Sequence, residues 1–322
     1  MELKEIAKKM VAKPHGIIAM DESDGTIGKR FAAIGVENNV DNRRAYREMI
    51  ITTEGIEKYI SGGILFEETL FQKLSDGRKF VDVFASKGML AGIKVDQKAL
   101  PSSPGETLTA GLEGLDERAK KYYKAGARFS KWRSVITIGE GTPTQKNTEE
   151  DMRRLAKYAK IMQNNGIVPI LEPEVLMDGN HTIEKKKEVT RNTLKTLYKH
   201  CKNEGVDLAA TILKPNMVVS GKDNGPDPVK LVAKETLDVL KECVPKEVGG
   251  IAFLSGGIDD DNAVAYLNEM NKDKNLPWNV TFSFARAIQN EPMKIFGTGD
   301  IKKAQKILLQ KAKGCSDATK GL

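Results

Sequence analysis

The chain has 322 residues, enough for one large α/β domain or two smaller ones, and its 40% hydrophobic and 30% charged residues are the make-up of a globular protein. A net charge of +7 suits nucleic acid, an anionic membrane or an anionic small substrate. No basic stripe interleaves with aromatic residues, which argues against nucleic acid, and no apolar run approaches a bilayer-spanning length, which argues against a membrane. Cys201, Cys243 and Cys315 are too scattered for a disulfide framework or a cysteine metal site. His15, His181 and His200 show no HxH or HExxH spacing, so neither a zinc centre nor any other cofactor is expected.

In chain order, residues 1–13 are helical and lysine-rich but lack the continuous apolar stretch of a secretory signal, so a cytoplasmic enzyme is the expectation. Eight short apolar runs follow. The first four are GIIAM (16–20), GGILF (62–66), LAGIKV (90–95) and ARFSKW (127–132). The other four are IVPIL (167–171), AATIL (209–213), GIAFL (250–254) and NVTFSF (279–284). Between them lie amphipathic segments. Residues 149–164 place Met152, Leu155, Ala159 and Met162 on one helical face, and 183–204, 228–243 and 260–271 read similarly. Gly166, Gly205 and Gly249 stand as helix stops. Residues 102–114 and 220–228 read as Gly/Pro loops, and 314–322 lack an apolar pattern, which predicts a mobile tail.

Continuous rather than alternating apolar strands, joined by helices, imply a parallel sheet covered by helices. Eight such units in one chain, with no dividing linker, predict a single-domain (β/α)8 TIM barrel over residues 1–322.

Charged or hydroxyl residues close nearly every run: Asp21, Lys94, Lys131 with Arg133, Glu172 with Glu174, Lys214, Ser255 and Arg286. Active sites of barrels form at that end. Side chains alternate along a strand, so Lys131 and Arg133 share a face with Phe129, Glu172 and Glu174 with Val168 and Ile170, and Lys214 with Ile212. One charge at a strand end is usually just solvated. Six or more converging charges are costly to bury unless they pair, and such clusters are kept where chemistry needs them. Neither GxGxxG nor a Walker-type GxxxxGK[ST] is present. Strand-end lysines beside carboxylates are the equipment for a Schiff base with a ketone. The Leu254-Ser255-Gly256-Gly257 turn is weak evidence alone, since turns use the same residues, but with Arg286 it makes a phosphate cradle.

At this point the residues resemble a known family. Met20-Asp21-Glu22-Ser23, Gly62-Gly63-Ile64-Leu65-Phe66-Glu67-Glu68-Thr69 and Gly92-Ile93-Lys94-Val95-Asp96 are similar to segments of class I fructose-1,6-bisphosphate aldolases. So are Phe129-Ser130-Lys131-Trp132-Arg133, the segment from Ile167 to Glu174, and Leu213-Lys214-Pro215-Asn216-Met217. Phe253-Leu254-Ser255-Gly256-Gly257 and Phe282-Ser283-Phe284-Ala285-Arg286-Ala287 complete the set in the family's order, from about Lys13 to about Phe296. EPE, LKPNM and FLSGG in that order are highly specific.

The resemblance implies a metal-independent lyase that cleaves fructose 1,6-bisphosphate reversibly to dihydroxyacetone phosphate and glyceraldehyde 3-phosphate, in glycolysis and gluconeogenesis. It casts Lys214 as the Schiff-base lysine, Glu172 as acid–base group with Glu174 beside it, Lys131 as charged partner in C–C cleavage, and Asp21 as acceptor of the C4 hydroxyl proton. Ser255, Gly256, Gly257 and Arg286 would hold the C1 phosphate; Ser23, Thr26, Lys94 and Arg133 would hold the C6 phosphate. Partners implied are phosphorylated ketoses and trioses and further copies of the chain, as a homotetramer. Phe284 and Ala285 replace the tyrosine–glycine pair of animal members, and a methyl there tightens the backbone's approach to phosphate. The chain ends Lys320-Gly321-Leu322 rather than in the animal enzymes' tyrosine, which implies slower or differently catalysed proton exchange on dihydroxyacetone phosphate. Transaldolase and deoxyribose-phosphate aldolase are the nearest rivals, and they lack the second-phosphate set of Ser23, Lys94 and Arg133. Fructose 1-phosphate and sedoheptulose 1,7-bisphosphate stay open as substrates. A non-catalytic binding protein is the rival of another class, which loss of Lys214 or Glu172 would have favoured.

Overall fold

A computed structural model covers residues 1–322. The chain begins α1 (Leu3–Met10), β1 (Gly16–Met20), α2 (Asp24–Ala32), α3 (Val40–Thr52) and β2 (Ile60–Leu65). Next come α4 (Glu67–Phe71), α5 (Phe80–Ser86), β3 (Leu90–Lys94), a hairpin of β4 (Ala99–Pro101) and β5 (Thr107–Thr109), and α6 (Leu115–Ala125). The chain then alternates β6 (Phe129–Ile136), α7 (Gln145–Asn164), β7 (Val168–Val175), α8 (Ile183–Asn203), β8 (Ile212–Leu213) and α9 (Val229–Cys243). It closes with β9 (Ile251–Phe253), α10 (Asp260–Met270), β10 (Val280–Phe284), α11 (Arg286–Phe296) and α12 (Ile301–Ala318).

Eight strands close a barrel in the order β1-β10-β9-β8-β7-β6-β3-β2, every neighbouring pair parallel. All eight apolar runs become its strands. The barrel interior is a separate small core: Ile17, Ala19, Ile64, Leu90, Phe129, Val168, Ile170, Ile212 and Ala252, floored by Ile6, Ala7, Met10 and Val11 of the α1 segment. The Phe129 ring fills the space that a side chain on β3 would need, since a Cβ on Gly92 would lie 2.2 Å from it. Interior volume is thus traded between neighbouring strands, a large residue facing a missing one. Outside, the α7 residues Met152, Leu155, Ala159 and Met162 are all buried, as their spacing requires.

Three expectations change. β6 and β7 run on to Ile136 and Val175, so Arg133, Glu172 and Glu174 lie within strands rather than just beyond them. Gly166 and Gly205 end helices in the left-handed region, at φ 76° and 63°. Gly249 does not, because α9 stops at Cys243 with an extended Val244; Gly249 instead lets the backbone approach the Thr211 carbonyl. The expected mobile tail from 314 is helical as far as Ala318. Residues 314–318 continue α12, whose Leu308, Ala312, Cys315 and Ala318 are buried at helical spacing, a face of mostly small residues that carries little apolar signal in sequence. No helix is long and apolar enough to cross a membrane.

Candidate active site

The strand ends converge on a cavity of about 360 Å³ at the C-terminal mouth of the barrel. Asp21, Ser23, Thr26, Lys94, Lys131, Arg133, Glu172, Glu174, Lys214, Ser255, Gly256 and Arg286 all line it. Gly257 does not. It faces a smaller cavity with Met177 and Tyr266, although a Cβ placed on it would lie 4.0 Å from the Arg286 guanidinium.

Strand pairing fixes the central charges. Lys131 of β6 stands opposite Ile170 and Arg133 opposite Glu172, so alternation sends both basic side chains to the face shared with the two glutamates. Lys214 follows β8, and its N–H bonds Leu171 O at 2.7 Å, which sets its height beside Glu172. Lys214 Nζ is 3.1 Å from Glu172 Oε1, and Lys131 Nζ is 3.3 Å from Glu172 Oε2 and 2.8 Å from Asp21 Oδ2. Arg133 pairs with Glu174. Glu172, Lys131 and Lys214 have side chains only 5–6% exposed.

Burial by itself pushes the Glu172 and Asp21 carboxyls up, but Lys131 and then Lys214 outweigh it and hold both below their ordinary values. Burial likewise disfavours the Lys131 ammonium, and Asp21, Glu172 and Asp96 more than compensate, so it is held above its ordinary range. At neutral pH Asp21 and Glu172 are therefore carboxylates flanking a charged Lys131. Glu172 Oε2 lacks hydrogen-bond geometry to its neighbours, leaving a buried acceptor available to a proton.

Polar groups for anions stand at two places. Ser255 and Gly256 follow β9 and Arg286 opens α11 after β10, while Lys94 and Arg133 come from β3 and β6, three or four positions away round the barrel. Ser23 precedes the first turn of α2 without a side-chain cap bond, and its hydroxyl lies 3.2 Å from the Thr26 hydroxyl. Gly256 has φ 40°, and a Cβ there would meet Leu254 at 2.4 Å and Glu174 at 3.0 Å, so only glycine fits. Ala285, at φ −104°, carries its methyl into the cavity wall without backbone strain.

Sequence reasoning left Asp96 without a role. Its carboxylate binds Lys94 Nζ at 2.5 Å and the Arg133 N–H at 3.3 Å, joining two basic residues of the wall. The signal was the two-residue offset in the Lys94-Val95-Asp96 segment. Glu68 takes Arg43 and Arg47, and Arg47 also donates to Glu22 O at 2.9 Å, bracing the turn between Asp21 and Ser23 from behind. That places Glu22 and Glu68 as supports of the charged layer.

The β4–β5 hairpin, whose second strand falls inside the expected 102–114 loop, flanks the cavity through Ala99 and Thr109 and is tied to α7. The Thr144 N–H donates to Glu106 at 2.8 Å, Asn147 to Thr107 O at 3.1 Å, and the Thr109 N–H to Asp151 at 3.4 Å. Asp151 is 1% exposed with Oδ2 unpartnered. Burial lifts its carboxyl to about 7, against the Thr109 N–H, the Ser134 hydroxyl and Arg154. A raised folded value means that the folded state binds the proton more tightly, so stability is lost as pH rises from the unfolded value through about 7. Asp151→Asn removes that loss. Urea denaturation should find the variant more stable than wild type by a few kcal/mol (~2–4) at pH 8, with the gap closing by pH 4. A pH-independent difference would contradict this origin.

A family model described as "Fructose-bisphosphate aldolase class-I" matches residues 2–322. The chain is 50% identical over 313 residues to the cytosolic fructose-bisphosphate aldolase 4 of Arabidopsis thaliana, covering 95% of this chain and 79% of that protein. It is 47% identical over 318 residues to the probable fructose-bisphosphate aldolase class 1 of Xanthomonas axonopodis pv. citri strain 306, covering 97% and 95%. Among solved structures, the aldolase of Plasmodium falciparum, crystallised with TRAP and a small-molecule inhibitor, superposes with a TM-score of 0.96 at 42% identity, covering 99% of this chain and 94% of that one.

Proposed function

The chain belongs to the class I fructose-bisphosphate aldolase family and is a lyase of that kind, and we propose that it cleaves fructose 1,6-bisphosphate reversibly through an imine on Lys214, without a metal. The observation that carries this reading is the buried row Lys214–Glu172–Lys131–Asp21, with successive separations of 3.1, 3.3 and 2.8 Å, lying in a cavity whose walls offer cationic and hydroxyl groups at two separate places.

In this mechanism Ser255, Gly256 and Arg286 hold the C1 phosphate, and Ser23, Thr26, Lys94 and Arg133 the C6 phosphate. Lys214 Nζ gives up a proton to Glu172 and attacks the C2 ketone, forming a carbinolamine. Glu172 returns a proton to its hydroxyl, which leaves as water, and a protonated imine remains. Asp21 takes the proton from the C4 hydroxyl. The C3–C4 bond breaks, its electron pair passes into the iminium as an enamine, and glyceraldehyde 3-phosphate departs. The proton held by Asp21 returns through solvent to C3 of the enamine, and water hydrolyses the resulting iminium, releasing dihydroxyacetone phosphate and regenerating the Lys214 ammonium beside the Glu172 carboxylate. Lys131 stays charged throughout and stabilises Asp21 and Glu172 as they exchange protons. Glu174, fixed by Arg133, borders the C1-phosphate turn at Gly256.

The iminium supplies the electron sink that a divalent cation supplies in metal-dependent aldol cleavage. Turnover of fructose 1,6-bisphosphate, followed by coupled detection of the triose phosphates, is therefore expected to be unchanged after incubation with EDTA. Loss of activity restored by a divalent metal would overturn the imine reading.

A further inference from the structure

The acid–base strand and the strand of the candidate nucleophile are in register for only two residues, Ile170↔Ile212 and Leu171↔Leu213. The Lys214 N–H to Leu171 O bond closes that ladder. Above it, Glu172, Pro173, Glu174 and Val175 pair with β6 alone. The gap on the β8 side is bridged by a side chain. Asn216 Oδ1 accepts the Val175 N–H at 3.1 Å, standing in for the next rung, and its Nδ2 donates to Thr190 Oγ1 of α8 at 3.2 Å and to Met217 O at 3.1 Å. The Val175 carbonyl is taken by another side chain: Lys186 of α8 donates to Val175 O at 2.5 Å and to Leu176 O at 2.7 Å. Asn216 and Lys186 are 4% and 1% exposed, and neither lines the cavity.

We infer that Asn216 is a positioning residue, which together with Lys186 fixes the upper end of β7 and so sets the separation of Glu172 from Lys214. This rests on the roles proposed above for those two residues. Both lie between two cross-links, the Leu171–Lys214 backbone bond below and the Val175–Asn216 bond above. With the upper link cut, the glutamates keep their hold on β6 but lose it on β8, and only the Lys214 side of the pair is released. A displacement of about 1 Å between reacting groups costs on the order of 10²-fold in rate. The groups that bind phosphate stand on other strands, and only Arg133 is ion-paired to the released segment, at Glu174. The expected signature is thus a defect in kcat with little change in KM. Lys186 serves the same end through the carbonyl. Burial lowers its ammonium to about 7, opposed by Glu174 and Asp178, in keeping with an amine enclosed for its hydrogen bonds rather than for its charge.

The test is Asn216→Leu, close in size but unable to hydrogen-bond, beside Asn216→Asp, which keeps the acceptor for the Val175 N–H. Rates are taken per folded molecule, and wild type is measured in parallel. Asn216→Leu should lower kcat by about 10- to 100-fold with KM within about 3-fold, and slow single-turnover imine formation by the same factor as kcat. Asn216→Asp should recover most of that loss. If Asn216→Leu does not fold, Lys186→Met leaves the Asn216 bonds intact and should show the same split between kcat and KM. Wild-type kcat and imine rate in the folded leucine variant, or in Lys186→Met where that variant stands in, would reduce the network to a structural role and overturn the inference. So would a rise in KM matching the fall in kcat. Failure of the imine reading itself would appear in the wild type, which separates the two.

Discussion

Lys214→Met is expected to abolish turnover, lowering kcat by about 10⁴- to 10⁶-fold, because the other amine at the centre of the site, Lys131, is held as a charged ammonium between Asp21 and Glu172. Methionine keeps the length and most of the volume of the lysine stem, so the packing around this almost fully buried side chain changes little. The charges that Lys214 touches still pair. Glu172 keeps Lys131 at 3.3 Å, and Lys131 keeps Asp21 at 2.8 Å, so the substitution leaves neither carboxylate without a cation. The phosphate-binding groups come from other strands and are untouched, so the variant should bind fructose 1,6-bisphosphate with an affinity close to the wild-type value. Steady-state kinetics with isothermal titration separate the two quantities. Residual turnover within about 10-fold of wild type would show that Lys214 is not the nucleophile.

Glu172→Gln should lower kcat by about 10²- to 10⁴-fold, the usual share of a general acid–base group. Its carboxylate is the only one within 4 Å of Lys214 Nζ, so neither removal of the amine's proton nor protonation of the departing hydroxyl has a substitute. The amide retains the shape but not the charge, and Lys214 then lacks an ionic partner. Removing one member of a buried set costs stability, here up to ~3 kcal/mol at neutral pH, because Lys131 still has Asp21. The pH dependence has a definite sign. The folded value of Glu172 is held below its ordinary value, so its contribution to stability is present above that ordinary value and disappears as pH falls through the folded one. The variant should therefore lose part of the acid-side slope of wild-type stability. Denaturation at pH 7 and pH 3 measures it: the two proteins should differ more at pH 7 than at pH 3. Equal differences would mean that Glu172 does not stabilise the fold through its charge.

Much of the barrel and of the charged layer was legible in the sequence, for one physical reason. Parallel strands buried on both faces leave continuous apolar runs, and a charge at the end of such a run has nowhere to go but the mouth. Asp21, Lys131, Glu172 and Lys214 could be read in that way. The supporting layer could not. Lys186 sits in the run Lys185-Lys186-Lys187, which looks like a solvated helix face, and only the docking of α8 buries its middle member. Asp151 follows Glu149 and Glu150 and is hidden in the same manner, turned inward on α7 beside the buried Met152 while the two glutamates stay partly exposed. Asn216 could be quoted as part of LKPNM, but its role as a missing rung depends on β8 stopping after two residues, which no local pattern announces. The hairpin at 99–109 went unread, its second strand inside the 102–114 Gly/Pro loop, because its strands are three residues each, too short for an alternation to register. The last turns of α12 bury alanine, cysteine and serine, whose small side chains give a weak periodic signal.

The most direct test of the imine at Lys214 is borohydride reduction in the presence of dihydroxyacetone phosphate, with peptide mass mapping of wild type and Lys214→Met. A stable adduct on the Lys214 peptide of the wild type, absent from the folded variant and unaffected by chelator, is the predicted result. A folded wild-type protein with no adduct, or with an adduct on Lys131 that persists in Lys214→Met, would contradict it.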